Sequence, residues 1–221
     1  MTVIAAGAPA SVTDGKALPD SIADQLRALI VRGVLSPGEH LRQSELAQRF
    51  GRSKVPIREA LKQLTAEGLL RHDQNRGYFV AGLSLEEARQ LYRLRRWLES
   101  ELLARARWPD EEEIAAFRLR FQMLDELDKP GDRTRWIAAL RALRHDMFDL
   151  SPDKLLLREA LRLWTLTDRY RSILPRDASG SAERQLVEAF ASRDREALLT
   201  AYHTDRDRIE SLLMGVLEDR L

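Results

Sequence analysis

Between Ile22 and Val80 the spacing of apolar residues changes several times, and each change predicts an element. Ile22, Leu26, Leu29 and Ile30 recur at helical spacing and predict a short helix with one apolar face. Ser36-Pro37-Gly38 predicts a turn, because proline fixes φ and glycine tolerates positive φ. Ser44 is placed to cap a helix over Glu45–Phe50, stopped by Gly51 in the left-handed conformation. Ser53 is placed to cap the next helix, with Pro56 in the first turn, where no backbone donor is needed. On that helix Ile57, Leu61 and Leu64 form an apolar stripe, while Lys54, Arg58 and Lys62 form a cationic one. Leu70 to Val80 reads as two extended stretches joined through Asp73-Gln74-Asn75-Arg76-Gly77, a basic hairpin.

From Ser84 onward glycine nearly vanishes and amphipathic helical patterns follow one another. Ser84-Leu85-Glu86-Glu87 reads as a capping box that opens a helix to about Trp108. Pro109 opens a second, to about Leu127, closed by Lys129-Pro130-Gly131-Asp132. Thr134 to Leu150, Asp153 to Ile173, Ala182 to Ala191 and Arg195 to Glu218 follow, with a loop over Pro175–Gly180. Six helices on short connections predict an antiparallel bundle. The expected fold is mainly α: a winged helix-turn-helix with a small β-hairpin wing, then about six bundled helices.

The 221 residues fit two domains, and 44% hydrophobic content supports two cores. Net charge is only +1, so the whole chain is no polycation. Residues 18–82 carry ten Lys or Arg against seven Asp or Glu, a +3 balance that suits a focused polyanion contact. There is no cysteine, which excludes disulfides and thiolate metal sites, and no apolar run long enough to span a bilayer. Residues 1–17 are small, polar and broken by Gly7, Pro9 and Gly15, and are read as a disordered arm without a secretory signal. The expected location is cytoplasmic, with no membrane partner. Four scattered histidines, no HExxH and no phosphate-cradling glycine loop give an enzyme little support.

PGEHL, SELAQRFG, SKVPIREAL, EGLL and RGYFV, in that order, resemble the DNA-binding domain of the GntR family of bacterial transcription regulators. The competing reading of the block is a small basic helical module that binds protein. Residues 84–219 resemble the all-helical effector-binding and dimerisation domain of the FadR-like subfamily, through LYRLRRWLESELLARA, ALRALRHDMFDLSPDKLLL and ERQLVEAFASRDREALLTAYHTD. The resemblance implies a homodimeric repressor on a palindromic double-stranded DNA operator, controlled by a small acidic effector. It assigns DNA contact to Ser44, Arg52, Ser53, Lys54, Arg58 and Lys62, and to Gln74, Asn75 and Arg76 of the wing. Lys54 stands where the family more often has arginine, and a lysine lacks the planar fork. Two rivals remain: a bundle that only dimerises, without ligand control, and an enzyme fused to a DNA-binding head.

The family resemblance also implies an effector pocket near Arg95, Arg141, His145, Asp153, Glu183 and Asp205. Many members of the subfamily hold a divalent metal there with one aspartate and three histidines. Arg141, Glu183 and Asp205 stand at three of those positions and only His145 matches, while His203 lies about 200° around its helix from Asp205. In one reading a metal persists on His145, Glu183 and Asp205, an oxygen-rich set. In the preferred one no cofactor is bound, and Arg141 takes the cation's place against Glu183 and Asp205. Arg95 is either a clamp for an acidic effector or a plain (i, i+4) partner of Glu99. Asp153 is equally well a helix cap. Phe121, Met147, Phe148 and Trp164 are expected in the core.

Overall fold

The computed structural model describes residues 21–127, 133–171, 173–174 and 181–220. The arm over residues 1–17 and the loops Lys129–Asp132 and Pro175–Gly180 lie outside the described residues. The first part contains α1 (Ile22–Val31), β1 (His40–Leu41), α2 (Gln43–Phe50), α3 (Lys54–Ala66), β2 (Leu70–Asp73) and β3 (Gly77–Val80). Leu26, Ile57, Leu61, Leu64 and Leu69 are fully buried between these elements, so the apolar stripe predicted for α3 docks it as expected.

Three local readings need correction. The wing is a three-stranded antiparallel sheet in the order β1-β3-β2. β1 adds His40 opposite Phe79 and Leu41 opposite Tyr78; two residues are too few to display a period. Ser44 lies inside the first turn of α2, whose N-cap position is Arg42. Ser53 does hold the N-cap position of α3, but its side chain makes no capping hydrogen bond. Gly51 stops α2 as expected, and Gly68 closes α3, a stop that the sequence reading did not name. Gly51 takes φ +59, and Gly68 takes φ +77 in a Schellman closure, with Leu69 N donating to Leu64 O and Gly68 N to Thr65 O.

The bundle contains α4 (Leu85–Arg105), α5 (Glu111–Leu127), α6 (Arg133–Asp149), α7 (Lys154–Arg171), α8 (Ser181–Ser192) and α9 (Arg195–Glu218). α4 ends three residues short of the expected Trp108. There Arg195 Nη2 donates to the carbonyl oxygen of Ala106 at 2.6 Å while its guanidinium lies over the Trp108 ring. Half of the expected capping box forms: Ser84 Oγ accepts from Glu87 N at 3.3 Å, but the Glu87 carboxylate turns to Arg169 and Tyr170. α4 is the central helix, packed against α6, α7 and α9. Phe148, Trp164, Phe190 and Tyr202 are buried in the larger core.

The two parts touch directly. A Cβ added at Gly68 would stand 2.7 Å from Leu166 Cδ2 of α7, so the turn after α3 is seated on the bundle.

Candidate functional site

The outer face of the N-terminal part collects its cations. Arg52, Ser53, Lys54, Arg58 and Lys62 are exposed along the start and outer side of α3. Ser44 and Lys54 share a groove with His40, Arg42, Gly77 and Tyr78, which brings α2, α3 and the wing to one concave surface. Glu59 sits among these cations, 3.1 Å from Lys62 Nζ and 3.7 Å from Arg58 Nε. Such exposed pairs are weak and give way easily to a phosphate or a base edge. At the wing tip, the main-chain amides of Asn75 and Arg76 each donate to Asp73 Oδ1 at 3.0 Å. That turn, with Gly77 at φ +90, projects Gln74, Asn75 and Arg76 into solvent. Arg71 and Arg76 both lie 5.3 Å from the centre of the Phe79 ring, whose stacking partner is His40. Arg71 and His40 extend the basic surface beyond the expected residues, and no local pattern in the two short strands marks either.

Inside the bundle, Arg95, Leu140, Arg141, Arg144, Trp164 and Asp168 line a small cleft of about 10 Å³, room for about one water. The cation that reaches the two acids is Arg144. Its Nε donates to Glu183 Oε1 at 3.1 Å and its Nη2 to Asp205 Oδ2 at 2.8 Å, all three residues being buried. Arg141, expected there, pairs with Asp168 across the cleft instead. The two arginines are three residues apart on α6, close enough on one helix face for sequence register to confuse them.

The remaining expected residues divide. Arg95 lines the cleft and is buried, its Nε 2.7 Å from Glu99 Oε1 and its Nη1 2.8 Å from Thr167 Oγ1. It is thus the (i, i+4) partner of Glu99 and a part of the cleft wall at once. His145 is turned away, 43% exposed, with Nδ1 3.2 Å from Asp146 Oδ1. Asp153 lies outside the cleft and accepts from Arg105 Nε at 2.9 Å. His203 faces Ser100 Oγ at 2.8 Å, away from Asp205 as its position predicts. Trp164 is core and cleft wall together. Asp168 escapes the sequence reading; in TLTDRYR it looks like an ordinary polar position near a helix end.

Glu183 and Asp205 are both engaged by Arg144 and His145 points elsewhere, so these residues do not fit the metal that the family resemblance implies. Among the described residues no group of three His, Cys, Asp or Glu side chains is arranged to hold an ion.

Beneath the cleft the charges form one buried network. Glu99 accepts from Arg95, from Trp164 Nε1 at 2.6 Å and from Tyr202 Oη at 2.9 Å. Burial alone would raise its pKa, but the charges of Arg95 and Arg206 prevail and hold it at about 2. Asp205 is likewise buried, and Arg206 and Arg144 keep it ionised far below the usual carboxylate range. Several atoms are left over: Arg144 Nη1, Arg206 Nε and Nη1, and Glu183 Oε2 are buried with no hydrogen-bond partner among the described residues. A buried guanidinium N–H without an acceptor is costly, and a ligand that supplies one relieves it.

A winged helix-turn-helix with a cationic outer face, joined to a helical bundle, is the architecture of a DNA-binding regulator. Residues 18–80 match the family described as bacterial regulatory proteins, gntR family, and residues 90–205 match the FCD domain. The chain belongs to the GntR family, in the group that carries an FCD domain. It is similar to the HTH-type transcriptional regulator YdhC of Bacillus subtilis (strain 168), 30% identical over 127 residues. That match covers 56% of this chain and 56% of the relative's length, little more than half of each. It is also similar to the HTH-type transcriptional repressor GlaR of Escherichia coli (strain K12), 35% identical over 151 residues, covering 65% of this chain and 68% of the relative. The solved structure of E. coli McbR/YncC shares the fold, with a TM-score of 0.75 at 20% identity over 88% of this chain and 95% of that one. The matched domains and named relatives are transcription regulators, not enzymes. No helix among the described residues is long and apolar enough to cross a membrane.

Proposed function

We propose that this protein is a cytoplasmic transcription repressor of the FadR-like subfamily, which binds a palindromic operator as a homodimer and releases it when a small carboxylate enters the bundle cleft. Two recognition helices related by a twofold axis suit two half-sites about one DNA turn apart. Lys54 and Arg58 would read base edges in the major groove, while Arg52, Lys62 and Arg76 would hold phosphates. Ser44, Ser53, Gln74 and Asn75, all exposed on the same surface, would add polar contacts.

The observation that carries the ligand half of this reading is the unpartnered, buried Arg144 Nη1 beside Arg141 and Arg95. Each guanidinium already has a carboxylate partner, Arg95 with Glu99, Arg141 with Asp168, and Arg144 with Glu183 and Asp205, so an incoming anion has to exchange with one of these, and Asp168 is the one that lines the cleft. With space of about 10 Å³, room for about one water, the cleft takes a carboxylate only by opening, through displacement of Asp168 from Arg141. Such a ligand would bridge Arg144 and Arg141 and compete with Asp168 for the latter. No metal takes part: the Arg144 guanidinium does inside the bundle what a cation does elsewhere in the family.

Selection of random duplexes by the full-length protein, followed by release under a panel of short-chain acids, sugar acids and amino acids, tests both halves. Enrichment of a palindrome, a thermal shift with one acid and release by that same acid are the expected results. Failure to enrich any sequence would remove the regulator reading. A palindrome with no releasing acid would leave a bundle that only dimerises, and turnover of a bound acid would favour an enzyme fused to a DNA-binding head.

A further inference from the structure

The outward stripe of α4 carries an unusual residue. Trp97 is 64% exposed, and on the helical wheel it stands diametrically opposite the buried side formed by Ala88, Arg95, Glu99 and Leu102. Leu94, 43% exposed, flanks it. A large indole at the centre of a helix face, wet on its outer side, is the kind of residue that anchors an interface.

The charges around it indicate what the partner is. Most charged residues of α4 are matched within the chain: Arg89 with Glu218, Arg95 with Glu99, Arg96 with Asp207 and Glu210, Arg105 with Asp153, and Glu87 with Arg169. Arg93 and Glu101 are both exposed and form no ion pair among the described residues. They stand four residues before and four after Trp97, on either side of the same stripe. Laid antiparallel on a second copy of itself with Trp97 at the centre, α4 brings Arg93 level with the partner's Glu101, and Glu101 level with the partner's Arg93. A parallel pairing would put like charges together, which costs several kcal/mol. The stripe is complementary to itself in one orientation only, as an isologous twofold contact requires.

We infer that the α4 stripe Arg93–Trp97–Glu101 is the face through which two copies of this chain associate, helix against antiparallel helix, with the paired indoles on the twofold axis. This inference rests on the dimeric reading above and specifies where the dimer forms.

The test is a pair of charge reversals in the full-length protein, read by sedimentation without DNA. Arg93→Glu sets a carboxylate against Glu101 at both ends of the contact, and Glu101→Arg sets two arginine pairs there. Each variant should sediment as a monomer at concentrations where wild type is a dimer, with the dissociation constant raised ~tenfold or more. An equimolar mixture of the two should recover the dimer, because each then meets its opposite charge; a misfolded variant could not do this. Trp97→Glu should be monomeric alone and in every mixture, with unchanged helical circular dichroism. Single variants that remain dimeric would place the interface elsewhere and leave the dimeric reading intact. Monomers that do not recombine would also overturn the inference, and a monomeric wild type would end the dimeric reading itself.

Discussion

Arg169 of α7 donates from Nη1 to the main-chain oxygen of Gly68 at 2.8 Å, so a bundle side chain closes on the turn that ends α3. The same guanidinium pairs with Glu87 at the start of α4, and Tyr170 beside it bonds to Glu87 and to the backbone of Ser84. Burial works against the charge on Arg169, but its hydrogen bonds with Tyr170 and Glu87 keep it firmly protonated. The residue immediately before it, Asp168, is the one that holds Arg141 at the cleft. Consecutive residues of one helix thus face the cleft and the DNA-binding part.

Arg169→Ala should therefore separate two properties. Carboxylate binding, read as a thermal shift, and operator binding in the absence of ligand should both persist. The ligand-induced loss of operator affinity should shrink. Unchanged coupling would mean that the cleft communicates by another route.

Gly68→Ala should destabilise the whole protein by ~1 kcal/mol or more. The positive φ disfavours any Cβ, and that Cβ would meet Leu166 Cδ2 at 2.7 Å. Denaturant melts of Gly68→Ala and of the double variant with Leu166→Ala separate the two causes. The second substitution relieves the clash but not the backbone strain, so only part of the loss beyond that of Leu166→Ala alone should return.

Arg58→Ala should cost ~1–3 kcal/mol of operator affinity and relax selectivity at one base position in each half-site. Arg76→Ala should weaken all duplexes alike and lower the salt slope by about one unit. Binding titrations over a salt series check both. A wild-type slope and affinity for Arg58→Ala would remove α3 as the reading helix.

Arg144→Ala strands Glu183 in the bundle without its cation and takes one cation from Asp205, which keeps Arg206 and Arg208, a change of ~3–5 kcal/mol when a buried pair is broken. The melting temperature should fall steeply. Manganese should restore part of it in the variant, by occupying the vacated carboxylates, and do nothing for the wild type. Equal responses in the two proteins would show that Arg144 does not stand in for a metal.

The Glu99 carboxylate gives the pH dependence a definite sign. Its pKa is lowered from 4.5 to about 2, so its ionised form stabilises the fold fully above pH 4.5, and that contribution is lost as the pH falls toward 2. Wild-type stability should decline over that interval. Glu99→Gln should start less stable and show a flatter acid limb in urea melts at several pH values.

The sequence makes the helices plain because each has an apolar stripe to bury: bounds such as Arg195–Glu218 follow from periodicity alone. The cationic face of α3 is legible for the same reason, since whatever is not in the stripe must face out. The cleft is legible only to within a helical turn. Arg141 and Arg144 lie on neighbouring parts of one face, and the choice between them is made by Glu183, Asp205 and Asp168 arriving from other helices. No local pattern encodes that arrival. Asp168 and the unpartnered Arg144 Nη1 are products of tertiary packing, as is the seat of Gly68 on Leu166.

That seat also bears on how the protein measures DNA. The connection from β3 to α4 is only the few residues Ala81–Ser84, and Gly68 is pressed against α7, so each reading head has little freedom to swing on its own bundle. In a symmetric pair the distance between heads then becomes a property of how the bundles meet, not of a tether. Such a protein works as a fixed caliper. It would reject operators whose half-sites are one base pair too close or too far apart, even when every base in each half is correct.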